Sequence, residues 1–234
     1  LLFSAVMFCF GCLVDFGSSV NSWDYVIVGA GSAGSAIAGY LSARNRGKCL
    51  LVEAGGNPRS SQSVVPAYYP HTFQTDLDWN YTTVPQRQLS GRRMHWPRGK
   101  GLGGSSLINA MIYLPGPKED WSHLAQAWKA DIESLRRKLP HLRRMESSLI
   151  DSAWPIQPTP EVHDLSQAFV QAACQLTGRP SCDFLKSDIY EAGVFPRSQF
   201  AGRRVSAFHW LASIGQLNRW LTVKSHCSVS KIIL

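Results

Sequence analysis

The chain has 234 residues, 44% of them hydrophobic and 17% charged, with 19 glycines and 13 prolines. Glycine and proline stay near ordinary usage, which excludes a collagenous or low-complexity chain, and the apolar share is enough for a sizeable core. The net charge of +8 admits nucleic acid, an anionic membrane or an acidic ligand, and only motifs decide among these.

Residues 1–14 are almost wholly apolar and Asp15 ends the run. A bilayer needs about 20 such residues, so no stable membrane span is expected. The run fits the apolar part of a secretory signal, with Gly17, Ser18 and Ser19 near a cleavage site, and predicts a signal-peptide-like segment over 1–22 on a secreted, extracellular protein.

Residues 24–28 (DYVIV) read as a short apolar strand, 35–41 as a helix of small residues, and 48–53 (KCLLVE) as a second, buried strand. Together they make a βαβ unit of about 30 residues. Residues 57–69 read as a Pro/Ser-rich loop, 79–84 (WNYTTV) as β-prone, and 98–106 as Gly-rich ahead of an apolar stretch over 107–114. A helix is predicted over 119–148, with Ile132, Leu135, Leu139, Leu142 and Met145 on one face and Arg136, Arg137, Lys138, Arg143 and Arg144 left in water; Pro140 would kink it. That basic cluster is a solvated face, and with no nucleic-acid motif beside it no nucleic-acid partner is expected. Residues 151–163 form an irregular connector, 164–176 an amphipathic helix through Leu165, Phe169, Ala172, Ala173 and Leu176, 207–220 another helix, and 221–234 two strands. The fold class is α/β, Rossmann-like.

Gly29, Gly31 and Gly34 stand in a G-x-G-x-x-G between the first strand and the first helix. The first glycine permits the turn, the second lets the backbone approach a pyrophosphate, and the third lets helix and strand pack closely. The phosphates would meet the helix N-terminus, where free N–H groups and the dipole favour negative charge. Glu53 ends the second strand, where a carboxylate accepts hydrogen bonds from ribose hydroxyls and repels a 2′-phosphate, which disfavours NADP. The block over 98–106 (RGKGLGGSS) is not a P-loop, since Met94 and Gly101 stand where glycine and Ser or Thr are needed. Its N–H groups, hydroxyls and two cations still suit an anionic or polar ligand. Residues 30–34 (AGSAG) also resemble a nucleophile elbow around Ser32, but nothing in the sequence links Asp164 and His209 to it. His71, His95, His123, His141, His163, His209 and His226 lack metal-ligand spacing, so no metal is expected. Cys9 and Cys12 form a C-x-x-C inside the apolar leader; Cys49, Cys174, Cys182 and Cys227 allow three pairings or free thiols, with Cys174 and Cys182 the local candidates. Asn80-Tyr81-Thr82 is a glycosylation sequon.

Four blocks, in order, resemble the glucose–methanol–choline (GMC) oxidoreductases: residues 24–34 (DYVIVGAGSAG), 51–56 (LVEAGG), 78–86 (DWNYTTVPQ) and 97–113 (PRGKGLGGSSLINAMIY). Weaker likeness continues through 166–173, 202–206 (GRRVS) and 221–234, and within the family it is to glucose dehydrogenase-like members of insects and other arthropods. The resemblance implies a GMC-type FAD-binding domain with a partial α+β substrate-side or lid portion. It divides the chain into 1–22 as leader, 23–148 as the first part of the FAD domain, 149–200 as the partial lid, and 201–234 as the return to the adenine side. It implies FAD as cofactor. Gly29, Gly31, Ser32, Ala33 and Gly34 would hold the pyrophosphate and Glu53 the adenosine ribose. Gly101, Ser105, Asn109, Ala110, Met111 and Ile112 would lie along the flavin end, and Val229 would meet adenine through its backbone.

The same resemblance implies oxidation of an alcohol or sugar donor, with hydride passing to flavin and then to oxygen or a quinone. Three departures stand out: Gly101 replaces a bulky aliphatic residue, Pro115 replaces an arginine, and the Tyr-His-Gly-rich lid segment is absent. The family's second signature and its histidine motif would lie beyond Leu234, so no catalytic residue is assigned and the 234 residues, read as an N-terminal fragment, are expected to be inactive alone. On that reading the apolar end of the chain is an open strand edge. Two other readings stand: a truncated or degenerate FAD-binding paralogue, and an NAD-dependent Rossmann dehydrogenase.

Overall fold

The computed structural model describes residues 6–9, 22–57, 61–129, 131, 156–159, 161–184, 191–215 and 219–233. They fall into two compact units, one made of Leu1–Ala110 with Gly202–Leu234 and the other of Met111–Ala201. The chain thus leaves the first unit after Ala110 and re-enters it at Gly202.

The first unit is built on a parallel sheet of β2 (Tyr25–Val28), β3 (Cys49–Val52) and β8 (Leu221–Lys224), with β3 in the middle. Tyr25 pairs with Cys49 and Val28 with Val52; Cys49 in turn pairs with Leu221 and Val52 with Lys224. A central strand covered on both faces needs a continuous apolar run, and all four residues of β3 are buried. Burying each of Leu50, Leu51 and Val52 contributes about 1.5–3 kcal/mol. The crossover is α1 (Ser32–Ala43), whose buried residues Ser35, Ala38, Gly39 and Ser42 recur at helical spacing. Their small size lets the helix sit close to β3 and to α5 (Ala207–Gly215). The buried hydroxyls are satisfied locally, Ser35 Oγ donating to Ala30 O and Ser42 Oγ to Gly39 O.

Residues 61–64 form the short α2 (Ser61–Val64), and a 3-10 turn runs over Pro66–Thr72, so the expected 57–69 loop carries structure. The β-prone stretch contributes only β4 (Tyr81–Thr82), paired antiparallel with β5 (His95–Trp96). The last strand, β9 (Val229–Ile233), is paired along one edge: it runs antiparallel to β1 (Val6–Cys9) in a two-stranded sheet, Val6 facing Ile233 and Cys9 facing Val229. The rest of the predicted leader lies outside the described residues, apart from Ser22.

In the second unit the predicted 119–148 helix is described as α3 (Lys118–Trp128). Lys129 takes a left-handed conformation, φ 50°, and its N–H turns back to the carbonyls of Ala125 and Gln126, which closes the helix. The basic cluster falls outside the described residues. Helix α4 (Asp164–Thr177) matches its sequence reading, capped by His163 Nδ1, which accepts from Leu165 N–H at 3.1 Å, and by left-handed Gly178. Its apolar face is laid bare: Leu165, Phe169 and Leu176 are 74%, 71% and 89% exposed. In the first unit, the predicted 207–220 helix is described over Ala207–Gly215 as α5. Short strands Gln199–Phe200 (β6) and Arg203–Arg204 (β7) precede it. No described helix is long and apolar enough to cross a membrane.

Candidate functional site

A cavity of about 550 Å³ opens in the first unit at the C-terminal ends of β2 and β3, where ligands bind in open parallel sheets. One wall is the start of α1. Gly31 is the N-cap, no side chain caps the helix, and no acidic residue stands in its first turn. The first N–H groups of a helix lack partners within it, so those of Ser32, Ala33 and Gly34 line the cavity as uncapped donors beside the positive end of a dipole. Gly34 is irreplaceable on space alone: a Cβ there would stand 1.9 Å from the Gly29 carbonyl oxygen.

The opposite wall is the second Gly-rich block. It folds into a 3-10 turn, Gly104–Leu107, that crosses the first turn so closely that a Cβ on Gly104 would lie 2.7 Å from Cα of Gly31. Gly103 N–H donates to Ala30 O at 2.8 Å, which fastens the two blocks backbone to backbone, and Leu102 N–H donates to Gly56 O at 2.9 Å, which ties the second block to the segment after β3.

Glu53 is the pin through the assembly. It is 6% exposed, and its carboxylate accepts three backbone N–H groups: Ala30 at Oε2, 2.9 Å, and Gly55 and Gly101 at Oε1, 2.9 and 3.1 Å. The sequence reading gave Glu53 only a ligand role; the structure gives it the joining of three loops as well. Gly101, expected along the flavin end, does not line the cavity; it is buried, and its N–H serves Glu53.

Asp78 shapes a third wall. Its carboxylate accepts from the N–H groups of Gln74, Asn80 and Arg98 at 3.0, 3.1 and 2.9 Å, and His95 Nε2 lies 3.1 Å away. Burial alone would raise its pKa, but the three N–H donors and His95 outweigh that and hold it below the usual value. This fixes Trp79 and Arg98, both of which line the cavity, and places the Lys100 ammonium 4.9 Å from the Trp79 ring centre.

Of the residues named from sequence, Gly29, Gly31, Ser32, Ala33, Gly34, Glu53, Ser105 and Val229 line this one cavity. Asn109 is exposed and Ala110 half-buried in the first unit, off the cavity lining, while Met111 and Ile112 belong to the second unit. Sequence reasoning missed Trp79, Arg98, Gly104, Cys227 and Ser228 as lining residues. Trp79, Arg98 and Gly104 sit inside blocks already singled out, whereas Cys227 and Ser228 carry no local signal. The hydrolase arrangement does not form: Ser32 begins α1, and His209 Nδ1 instead lies 3.2 Å from Ser206 Oγ. Burial, aided by the charge of Arg204, lowers the His209 pKa. Cys49, Cys174, Cys182 and Cys227 form no disulfide with one another, so the local Cys174–Cys182 pairing is not made. Among the described residues no cluster of three metal-ligating side chains occurs.

The profile of the GMC oxidoreductase family matches residues 23–234. An alcohol dehydrogenase [acceptor] of Pseudomonas putida is 35% identical over 197 residues, covering 79% of this chain and 35% of the relative. Oxygen-dependent choline dehydrogenase of Rhizobium johnstonii is 36% identical over 199 residues, again 79% of this chain and 35% of the relative. The crystal structure of pyridoxine 4-oxidase from Mesorbium loti superposes with a TM-score of 0.69 at 31% identity, over 86% of this chain and 42% of that one. The chain spans about a third of the length of the curated relatives it matches.

Proposed function

The chain belongs to the GMC oxidoreductase family, and from that premise we propose that its cavity holds the adenine dinucleotide part of FAD in an oxidoreductase acting on CH–OH groups. The observation that carries this reading is the crossing of the two Gly-rich turns over the uncapped start of α1. A Cβ on Gly104 would meet Cα of Gly31 and one on Gly34 the Gly29 carbonyl, so the turns close on each other only as glycine, and the N–H groups of Ser32, Ala33 and Gly34 supply donors for a pyrophosphate. Glu53 uses three of roughly four acceptor positions on its carboxylate within the protein, which leaves one for a ribose hydroxyl. Val229 and Cys227 give the adenine end a wall from the third strand region. Ser105, Asn109, Ala110, Met111 and Ile112 are assigned to the flavin end by family resemblance.

The chemistry supplied by the bound flavin is acceptance of a hydride from the carbinol carbon of an alcohol or sugar, with oxygen or a quinone as final acceptor. The chain's own residues bind and orient; none of the seven histidines is assigned as the base. The relatives are named for an alcohol, choline and pyridoxine, which supports a small alcohol as donor. Secretion is proposed from the apolar stretch 1–14, and the exposed side of Asn80 suits a used sequon; N-terminal sequencing of exported protein tests it. The cofactor reading is tested by titrating purified chain with FAD and with NAD. Visible flavin bands that stay with the protein through gel filtration are expected, and tight NAD binding without flavin would overturn the reading.

A further inference from the structure

Arg204 heads the fully buried side chains of the described residues by volume, at 2% exposure. No acidic side chain pairs with it among the described residues. Its Nη1 donates to the Ser106 carbonyl at 3.0 Å and to Asn109 Oδ1 at 2.7 Å, while Nε and Nη2 have no partner there. Burial lowers its pKa to about 10, which still leaves it charged at neutral pH. A buried cation without a counter-charge is costly, and an apolar side chain of similar volume would pack the same space at less expense. Groups that break the rules of burial in this way are concentrated at functional sites.

The obvious structural task is already done by another group. Ser106 Oγ accepts the Ala207 N–H at 2.8 Å and ties the start of α5 to the Gly104–Leu107 turn. What Arg204 adds is its bond to Asn109. Arginine carries donors only, so the atom of the Asn109 amide that faces it must be the oxygen. The amide is thereby held in one orientation, oxygen inward and nitrogen away from Arg204, and a charged donor at the oxygen polarises the nitrogen as a donor. Asn109 follows directly on the turn whose Gly104 and Ser105 line the cavity.

We propose that Arg204 is a positioning residue of the cofactor site: it clamps the Asn109 carboxamide and the turn before it, whose Gly104 and Ser105 line the cavity, and so fixes that turn against the bound cofactor. The inference rests on the FAD reading above.

The test uses the full chain reconstituted with FAD, comparing wild type with Arg204→Met, Arg204→Lys and Asn109→Ala, and reading the FAD dissociation constant and the shape and position of the bound-flavin bands below each variant's melting temperature. Loss of a hydrogen bond from a charged donor predicts roughly tenfold weaker binding for Arg204→Met and a changed flavin spectrum, with partial recovery in Arg204→Lys. Asn109 is exposed, so Asn109→Ala keeps the fold if Arg204→Met does not, and it is expected to reproduce the spectral change. A variant set that melts earlier but binds FAD with wild-type affinity and spectrum overturns the clamp alone. Wild-type protein that takes up no FAD overturns the cofactor reading and the clamp together.

Discussion

Gly104 and Gly31, from blocks more than seventy residues apart in the chain, approach so closely that a single methyl group on Gly104 would lie 2.7 Å from Cα of Gly31. Gly104 also has φ 53°, a conformation that L side chains rarely adopt. Gly104→Ala is therefore expected to destabilise the chain by about 1–3 kcal/mol through strain, and to separate the two turns. Urea unfolding measures the first effect, and an FAD dissociation constant raised at least tenfold measures the second. Wild-type binding by this variant would show that the crossing does not shape the site.

Replacement of Glu53 by Gln offers one oxygen where two now accept three N–H groups, and turns an amide nitrogen towards a backbone donor. Each buried N–H left without an acceptor costs about 1–3 kcal/mol. Glu53→Gln is expected to lower the urea midpoint by more than any exposed-site variant while leaving the slope of the transition unchanged.

Acid should destabilise the protein in two steps. His209 is held below its usual 6.5 in the fold, so the unfolded chain takes up a proton first. Stability is full above 6.5 and declines as pH falls from there towards the folded value. Asp78 is held below its usual 3.8; its contribution is full above that value and is lost as pH falls through the lower folded one. His209→Gln should flatten the pH dependence of the melting temperature just below 6.5 and leave the lower step, whereas Asp78→Asn should remove the lower step.

Leu176 is 89% exposed on α4. Leu176→Gln is expected to change stability by no more than about 0.5 kcal/mol, since no packing is lost. A larger loss in thermal melting would show that this apolar face is covered in solution.

Much of the fold was legible because β2, α1 and β3 obey local rules: an apolar run for a central strand, small residues at helical spacing, and glycines where backbone meets backbone. Eight of the thirteen residues assigned to the cofactor from sequence line one cavity, because the motifs encode the turn that builds it. What stayed hidden depends on contacts distant in sequence. The end of α3 at Lys129 is a choice of backbone conformation that hydrophobic spacing does not record. The duties of Glu53 and Gly101 arise from a hydrogen bond spanning 48 residues. Arg204 reads as one more basic residue until Ser106 and Asn109, 98 and 95 positions earlier, are seen around it.

The three amides on Glu53 come from Ala30, Gly55 and Gly101, with separations from the carboxylate of 23, 2 and 48 residues. Two of these contacts close long loops, and such contacts are late and slow to form in folding. The cavity therefore cannot mature strand by strand as the chain emerges. It comes into being when the 98–106 block arrives, and until then the Glu53 carboxylate has the Ala30 and Gly55 amides but lacks its third donor. A cofactor that recognises only the finished crossing would reach the protein after this step, acting as a lock on a completed fold rather than as a template for it.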